Sequence, residues 1–458
     1  MTNIILNTDS YKFSHGSLLP PNSTVVNSYI ESRGGKWNNV LYFGLQAFVK
    51  EYLLKPITKE DIDEAEEVAT MHGHPFHRDG WERILNKWNG FLPIEIEALP
   101  EGTVTTVSNA LVQVRNTDPA LPWLTSFIET ALLRAVWYPT TVATLSWHVK
   151  HLLKDYMDKS SDNPEGIVFK LHDFGARGVS SDESAGLGGA GHLVNFMGTD
   201  TVSALLVARK YYGEKMAGYS IPATEHSVMS SWGGRDGEVN AMENFLNQYS
   251  KPNAIIACVS DTYDLWNAVD NYWGGKFKER IEKSGSTLVV RPDSGNPTIV
   301  PIQTILKLMD KFGFTVNSKG YKVLPNCIRV IQGDGITIDS IVNILENMEE
   351  HKLSLDNLAF GMGGGLLQQV NRDTLKFAMK ASAIEVDGEW RDVFKDPITD
   401  NGKRSKKGIL SVIKVNGNYE TIRRSELKGR KDELITIYRN GKLFNETTFA
   451  KVRELSNA

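Results

Sequence analysis

The sequence predicts an α/β protein: an irregular βα barrel, with a second, mixed α+β sheet domain formed by the N- and C-terminal parts of the chain. Three observations carry this. Between about residues 161 and 384, short β-prone runs alternate with helical patterns every few tens of residues, which implies a parallel sheet. Acidic or glycine positions follow nearly every one of those runs. That distribution fits the C-terminal face of a barrel better than the single switch point of a doubly wound sheet. Finally, Asp387-Gly388, Asn416-Gly417 and Asn440-Gly441 each sit between short β-prone runs, a strong hairpin signal, so the C-terminal part is antiparallel. The expected boundaries are 161–384 for the barrel-like catalytic domain and 1–160 with 385–458 for the sheet domain.

Taken in order, Asn3 to Leu6 is a short apolar segment ending at Asp9-Ser10-Tyr11-Lys12, and Ser28 to Arg33 is a short strand with a charged end. Thr58 to Val68 reads as an exposed acidic helix. His72, His74 and His77 surround Pro75, and without regular spacing or a cysteine they read as a solvated loop, not a zinc site. Leu121 to Tyr156 suits two helices broken at Pro139, with Trp123, Phe127, Leu132 and Trp137 as packing residues. The barrel units follow: GIVFKLH leads to Asp173-Phe174, Gly198-Thr199-Asp200 opens a helix, YSIPAT leads to Glu225-His226, and AIIACVS leads to Asp261. Thr287 to Val290 runs into Arg291 and Asp293 and then a Ser-Gly-Asn-Pro turn; IRVIQ leads to Gly333-Asp334, and LAF to the glycine run Gly361 to Gly365. Ile302, Ile305, Leu306, Met309 and Phe312 have helical spacing.

The chain of 458 residues has ample length for a large core, and its charged and apolar fractions are ordinary for a globular protein. A formal net charge of -4 gives no electrostatic reason to expect a nucleic-acid or anionic-membrane partner. Two cysteines, Cys258 and Cys327, make no disulfide framework and fit a reducing cytoplasm. The N-terminus lacks the features of a signal peptide, and no stretch of eighteen apolar residues is present.

Several motifs compete for a chemical reading. Gly186, Gly188 and Gly191 match G-x-G-x-x-G, but DFGARGVSSDES separates them from the strand and Tyr211 stands where a ribose-binding acid belongs. They read as a small-residue helix start. Gly361 to Gly365 follows a strand directly and precedes a helical run, so its backbone can face an anion, with Arg177, Arg291 and Arg372 available to the same mouth. Taken singly it is also a plain glycine turn. Asp200, Asp261, Asp293 and Asp334 are helix caps or, taken together, binders of a polyol, of a hydrated divalent ion or of a developing cation. His226 follows Glu225 at a strand end among carboxylates, where a functional histidine is favoured over a satisfied interior one. Lys395 with Lys403, Arg404, Lys406 and Lys407 makes a basic loop that is solvated, a targeting patch, or a phosphate neutraliser. The residues point to a barrel enzyme acting on a phosphorylated, hydroxyl-rich substrate.

The runs TDSYK, HDFGARGVSS, GTDT, EHS, VSDTYD, VVRPDSGNP, VIQGDG and FGMGGGLLQ, followed by KDP and KRSKKG, resemble the nicotinamide phosphoribosyltransferase family over almost the whole chain and in the same order. The resemblance implies a homodimer with shared active sites and a type II phosphoribosyltransferase-like barrel. It also implies condensation of nicotinamide with 5-phosphoribosyl 1-pyrophosphate, assisted by ATP and Mg²⁺. It implies that Phe174, with Tyr11 from the other subunit, sandwiches the pyridine ring, and that Asp200 accepts its amide. Asp293 with Gly333-Asp334 would hold the ribose, and Gly363 and Gly364 the 5-phosphate. Arg177 and Arg291 would line the base and ribose pocket; Arg33, Arg372, Lys380, Lys395 and Lys403 would meet phosphate and pyrophosphate. His226, oriented by Asp261, would be the residue that ATP phosphorylates. Gly34-Gly35, after Arg33, departs from a stretch that is more basic in animal members of the family. Nicotinate phosphoribosyltransferase is the alternative within enzymes, and a non-catalytic binder of the same ligands the alternative outside them.

Overall fold

The computed structural model describes residues 3–399 and 404–457. They form two compact units. One comprises Met1–Thr144, Val207–Lys215 and Val370–Ala458; the other comprises Leu145–Leu206 and Met216–Gln369.

The second unit holds the parallel sheet. Its strands run in the order Gly198–Thr199, Leu171–Asp173, Leu358–Met362, Ile328–Gln332, Thr287–Arg291 and Ile255–Val259. Two isolated parallel bridges, Gly198 with Tyr219 and Ala223 with Ala257, carry the chain from one edge strand to the other, so that an irregular barrel results. The YSIPAT run is therefore not a regular strand. Pro222 has no N–H to give to a ladder, and its carbonyl accepts from Ala257 at 2.9 Å instead. GIVFKLH is likewise shorter than expected as a strand: Pro164–Phe169 is a 3-10 turn and only Leu171–Asp173 pairs. Central strands such as Thr287–Arg291 are buried along most of their length, and they read as continuous β-prone runs because both faces are covered. Val300–Phe312 and Ile338–Glu350 are outer helices; Pro301 begins the first, and a Thr337–Ser340 capping box begins the second. The glycines 186, 188 and 191 lie inside the helix Asp182–Leu193, which Ser181 caps.

The first unit is built on a seven-stranded antiparallel sheet, in the order Glu389–Asp392, Phe377–Val386, Ser23–Ser32, Ala110–Asn116, Ile94–Ala98, Ile435–Arg439 and Lys442–Leu443. Asp387-Gly388, Asn416-Gly417 and Asn440-Gly441 all turn hairpins, and all six residues have positive φ, as two-residue type I′ loops demand. Phe377–Val386 pairs along Ser23–Ser32, so the C-terminal part of this unit is Val370–Ala458 and not the expected 385–458, and its N-terminal part is Met1–Thr144 and not the expected 1–160, with Val207–Lys215 added.

Pro139 does not break the chain into two helices. Glu129–Ser160 is a single helix with the proline inside it. Thr140 Oγ1 donates to Phe43 O and Thr141 Oγ1 to Trp137 O, while the proline ring packs against Gly44, where a Cβ would lie 2.3 Å away. Packing of this kind offsets the lost backbone bond. No described helix is long and apolar enough to cross a membrane.

Candidate active site

Parallel pairing brings the ends of the barrel strands to one side of the sheet, and the loops there carry Phe174, Asp200, Asp261, Arg291, Asp293, Gly333, Asp334, Gly363 and Gly364. His226 starts the short helix His226–Ser230 just beyond the Ala223 bridge.

Phe174 is fixed from two directions. Its backbone N–H donates to Met362 O at 3.0 Å, and its ring lies on two glycines. A Cβ at Gly361 would stand 2.0 Å from Phe174 Cε2, and one at Gly333 would stand 3.4 Å away. Close approach of the ring is what requires glycine at 361. The preceding Asp173 is fully buried; its Oδ1 accepts the Gly175 N–H at 2.8 Å, and burial pushes its carboxyl up to about 6. A cavity of about 670 Å³ is lined by Phe174, Asp200, Ser220 and Arg291 together with apolar residues such as Val289 and Ile331. The Asp200 carboxylate accepts from the Ser220 hydroxyl and remains exposed. Arg291 donates from Nη2 to Thr224 O at 3.1 Å, whereas its Nε is buried and has no hydrogen-bond partner.

His226 Nε2 lies 3.3 Å from Asp293 Oδ2 and 3.8 Å from Asp261 Oδ1, while Nδ1 is paired with Thr262 Oγ1 at 3.1 Å. Asp261 is thus beyond hydrogen-bond range and does not orient the ring directly. Its Oδ2 accepts the Asp293 N–H at 2.9 Å and the Ser294 hydroxyl, which fixes the turn that presents Asp293. Gly333 faces the same carboxylate, since a Cβ there would lie 3.6 Å from Asp293 Oδ1. Gln332 Nε2 holds the Asp334 carbonyl at 2.9 Å. Gly363 and Gly364 open the short helix Gly364–Leu367, with free space over Gly364, and the exposed Arg177 lies in the turn Ala176–Gly178.

The other expected residues belong to the sheet unit, where they form a second group. Tyr29 and Lys380 are direct neighbours on adjacent strands, and Tyr29, Glu31 and Arg33 follow one another on one face at period two. Burial lowers the Lys380 ammonium pKa; the Glu129 carboxylate opposes this, and the charges of Arg33, Lys12 and Lys395 add to it. Backbone bonds hold the Arg33 strand to the Arg372 turn, since Arg33 N–H donates to Lys376 O and Lys36 N–H to Thr374 O. The exposed Tyr11 lines a cavity of about 450 Å³ that also includes Lys380. Lys403 lies outside the described residues. Sequence reasoning missed Thr262 and Ser220, which sit one residue from motif acids or in a broken strand, and Glu31, which looks like an ordinary charge; it placed Lys406 in the basic loop but not its pairing with Glu31. His72 binds Ser10 and His77 stacks on Trp123; among the described residues no group of His, Cys, Asp and Glu is arranged to hold a metal ion.

A barrel whose strand ends present an aromatic face, carboxylates and a glycine turn, in one chain with a basic antiparallel sheet unit, defines a phosphoribosyltransferase. Residues 169–441 match the model of the nicotinate phosphoribosyltransferase (NAPRTase) family, and residues 3–96 match the nicotinamide phosphoribosyltransferase N-terminal domain. The chain belongs to the nicotinamide phosphoribosyltransferases within that family. It is 50% identical, over 100% of its length and 99% of the relative's, to the nicotinamide phosphoribosyltransferase of Xanthomonas campestris pv. campestris. It is 32% identical to that of Acinetobacter baylyi, over 97% and 95% of the two chains. Its fold resembles a nicotinate-nucleotide pyrophosphorylase from Pyrococcus furiosus, with TM-score 0.61 and 17% identity over 99% and 95% of the chains. It also resembles human nicotinic acid phosphoribosyltransferase, with TM-score 0.58 and 16% identity over 98% and 93%.

Proposed function

We propose that the protein condenses nicotinamide with 5-phosphoribosyl 1-pyrophosphate, giving nicotinamide mononucleotide and pyrophosphate in the salvage of NAD, in the cytoplasm and as a homodimer with shared sites. The observation that carries this reading is the pairing of Phe174 with Asp200 on one cavity, in a chain alike from end to end to nicotinamide-using enzymes.

The pyridine ring stacks on Phe174, whose plane the glycines at 333 and 361 set, and the amide N–H₂ donates to Asp200. The attacking pyridine nitrogen carries no proton, so general-base catalysis has nothing to remove. As pyrophosphate leaves, positive charge grows on the ribose ring, and the Asp293 carboxylate, held by Asp261, stabilises it. The basic group of the sheet unit, with Arg33, Arg372, Lys380, Lys395 and Lys403, receives the diphosphate in the shared site. Mg²⁺ bound to the diphosphate would supply further charge screening there, beside Arg33, Lys380 and Lys395. His226 takes the γ-phosphoryl group of ATP: a ring nitrogen attacks phosphorus, and the bond to the ADP oxygen breaks. Asp293, beside Nε2, holds the imidazole, and Nδ1 is the nitrogen that attacks once the Thr262 hydroxyl turns away.

Competition between the two bases tests the reading. Nicotinate would set its carboxylate against Asp200, and such a like-charge contact costs a few kcal/mol, where each ~1.4 kcal/mol is about tenfold in rate. Nicotinamide should therefore be preferred by at least about a hundredfold, and Asp200→Asn should narrow that ratio. Equal use of both bases by the unmutated protein would overturn the assignment, and equal rates with and without ATP would remove His226 from its role.

A further inference from the structure

The sheet unit contains a buried carboxylate that the reaction does not use. Glu31 is 2% exposed, in the middle of the sheet unit's basic residues. One oxygen accepts from Arg33 Nε at 3.1 Å and from the Tyr29 hydroxyl at 3.3 Å; the other accepts from Lys406 Nζ at 2.7 Å. Lys406 is held a second time, because its backbone N–H donates to the Tyr29 hydroxyl at 2.8 Å. The next residue back continues the chain of bonds: Ser405 N–H donates to Lys395 O at 3.0 Å, and Lys395 N–H to Ser405 Oγ at 2.8 Å. With Nε occupied, Arg33 keeps a buried Nη2 that has no partner. A buried anion between two cations is costly to remove one-sidedly, and its geometry is specific, so its presence needs a reason.

We propose that Glu31 is a positioning residue for the diphosphate end of the site. It aims the guanidinium of Arg33 directly and sets Lys395 through Lys406 and Ser405, so that the two cations are held before a diphosphate arrives. Such preorganisation removes the ordering cost from the binding step. The inference rests on the proposed role of Arg33 and Lys395 as diphosphate contacts. Tyr29 completes the arrangement: burial, with the charge of Glu31 second, pushes its phenol up to about 12, which keeps it a neutral donor.

The test is calorimetric titration of the full-length protein with inorganic pyrophosphate and Mg²⁺, together with steady-state kinetics. Glu31→Gln should weaken pyrophosphate binding tenfold or more and raise KM for the phosphoribosyl donor similarly, with KM for nicotinamide unchanged within about twofold. Lys406→Met, at a partly exposed side chain, should weaken binding several-fold, and the double variant should be no worse than Glu31→Gln alone. Simple charge bookkeeping predicts the opposite, that loss of an anion tightens pyrophosphate binding; tighter or unchanged binding by folded Glu31→Gln overturns the proposal. So does additivity of the two substitutions; and if Glu31→Gln proves unstable, unchanged pyrophosphate binding by folded Lys406→Met overturns the proposal instead. Arg33→Ala and Lys395→Ala separate the two ideas. If neither weakens pyrophosphate binding, the diphosphate reading itself falls; if both do while Glu31→Gln and Lys406→Met do not, only the positioning role falls.

Discussion

Asp173 sits one residue before the proposed nicotinamide platform and is buried with its carboxyl pKa raised to about 6, chiefly by desolvation. Because the folded-state value lies above the unfolded one of about 4, the folded protein binds the extra proton more tightly. The stability this group contributes is therefore fully present below about pH 4 and is lost as pH rises through about 6, a swing on the order of 3 kcal/mol. Asp173→Asn keeps an acceptor for the Gly175 N–H and has no proton to lose. Its midpoint of thermal unfolding should match the wild type near pH 4 and exceed it at pH 7; parallel curves would show that burial of this charge costs little. At this scale the sequence was only partly legible. Phe174, Asp200, Asp293 and His226 stood out because each follows a β-prone run. Thr262, which pairs with His226, did not, because a threonine hydroxyl near an acid carries no signal until the fold places it. The closeness of Asp293, and not Asp261, to His226 depends on side-chain direction within a turn, which spacing does not encode.

Elements whose signals are local were the most legible. Three Asn-Gly or Asp-Gly pairs turn three hairpins because both residues must adopt positive φ, and Thr58 with Asp61 closes the capping box of the helix Lys59–Met71. Elements decided by tertiary contacts were less so: the helix through Pro139 depends on hydroxyls and on Gly44, and the irregular 219–223 segment depends on its neighbouring strand ends. The strand Leu358–Met362 combines both kinds of constraint, since Gly361 is a glycine for the sake of a ring from another loop. Gly361→Ala should leave the far-ultraviolet circular dichroism intact while displacing Phe174, and KM for nicotinamide should rise tenfold or more with the pyrophosphate affinity nearly unchanged. An unaltered KM would mean that the ring does not set the base plane. Gly333→Ala, with 3.4 Å of clearance, should have the smaller effect.

At the scale of the whole molecule, the proposed site residues fall into two groups, one on each unit. The barrel unit offers one aromatic face, Phe174, and carboxylates. The sheet unit offers Tyr11, 53% exposed, and the cations around Arg33 and Lys380. The alternation of strands and helices made the barrel legible, but the boundaries at 144 and 370 were not, because the chain moves from one unit to the other within a helix and ahead of a strand. The proposed sharing of the site in a symmetric dimer makes a quantitative prediction. Tyr11→Ala and Asp200→Ala homodimers should each be nearly inactive, one lacking the ring donated across the interface and the other the amide acceptor. After equimolar mixing and subunit exchange, about half of the dimers are mixed, and each of these has one site with both defects and one with neither. Activity should then rise to about a quarter of the wild-type value, since half the dimers each carry one of two working sites. Exchange itself is checked by mass spectrometry of the native dimers. Verified mixed dimers without regained activity would place both residues in one chain's site, and full wild-type activity in a strictly monomeric preparation would remove Tyr11 of the partner subunit from the reaction altogether.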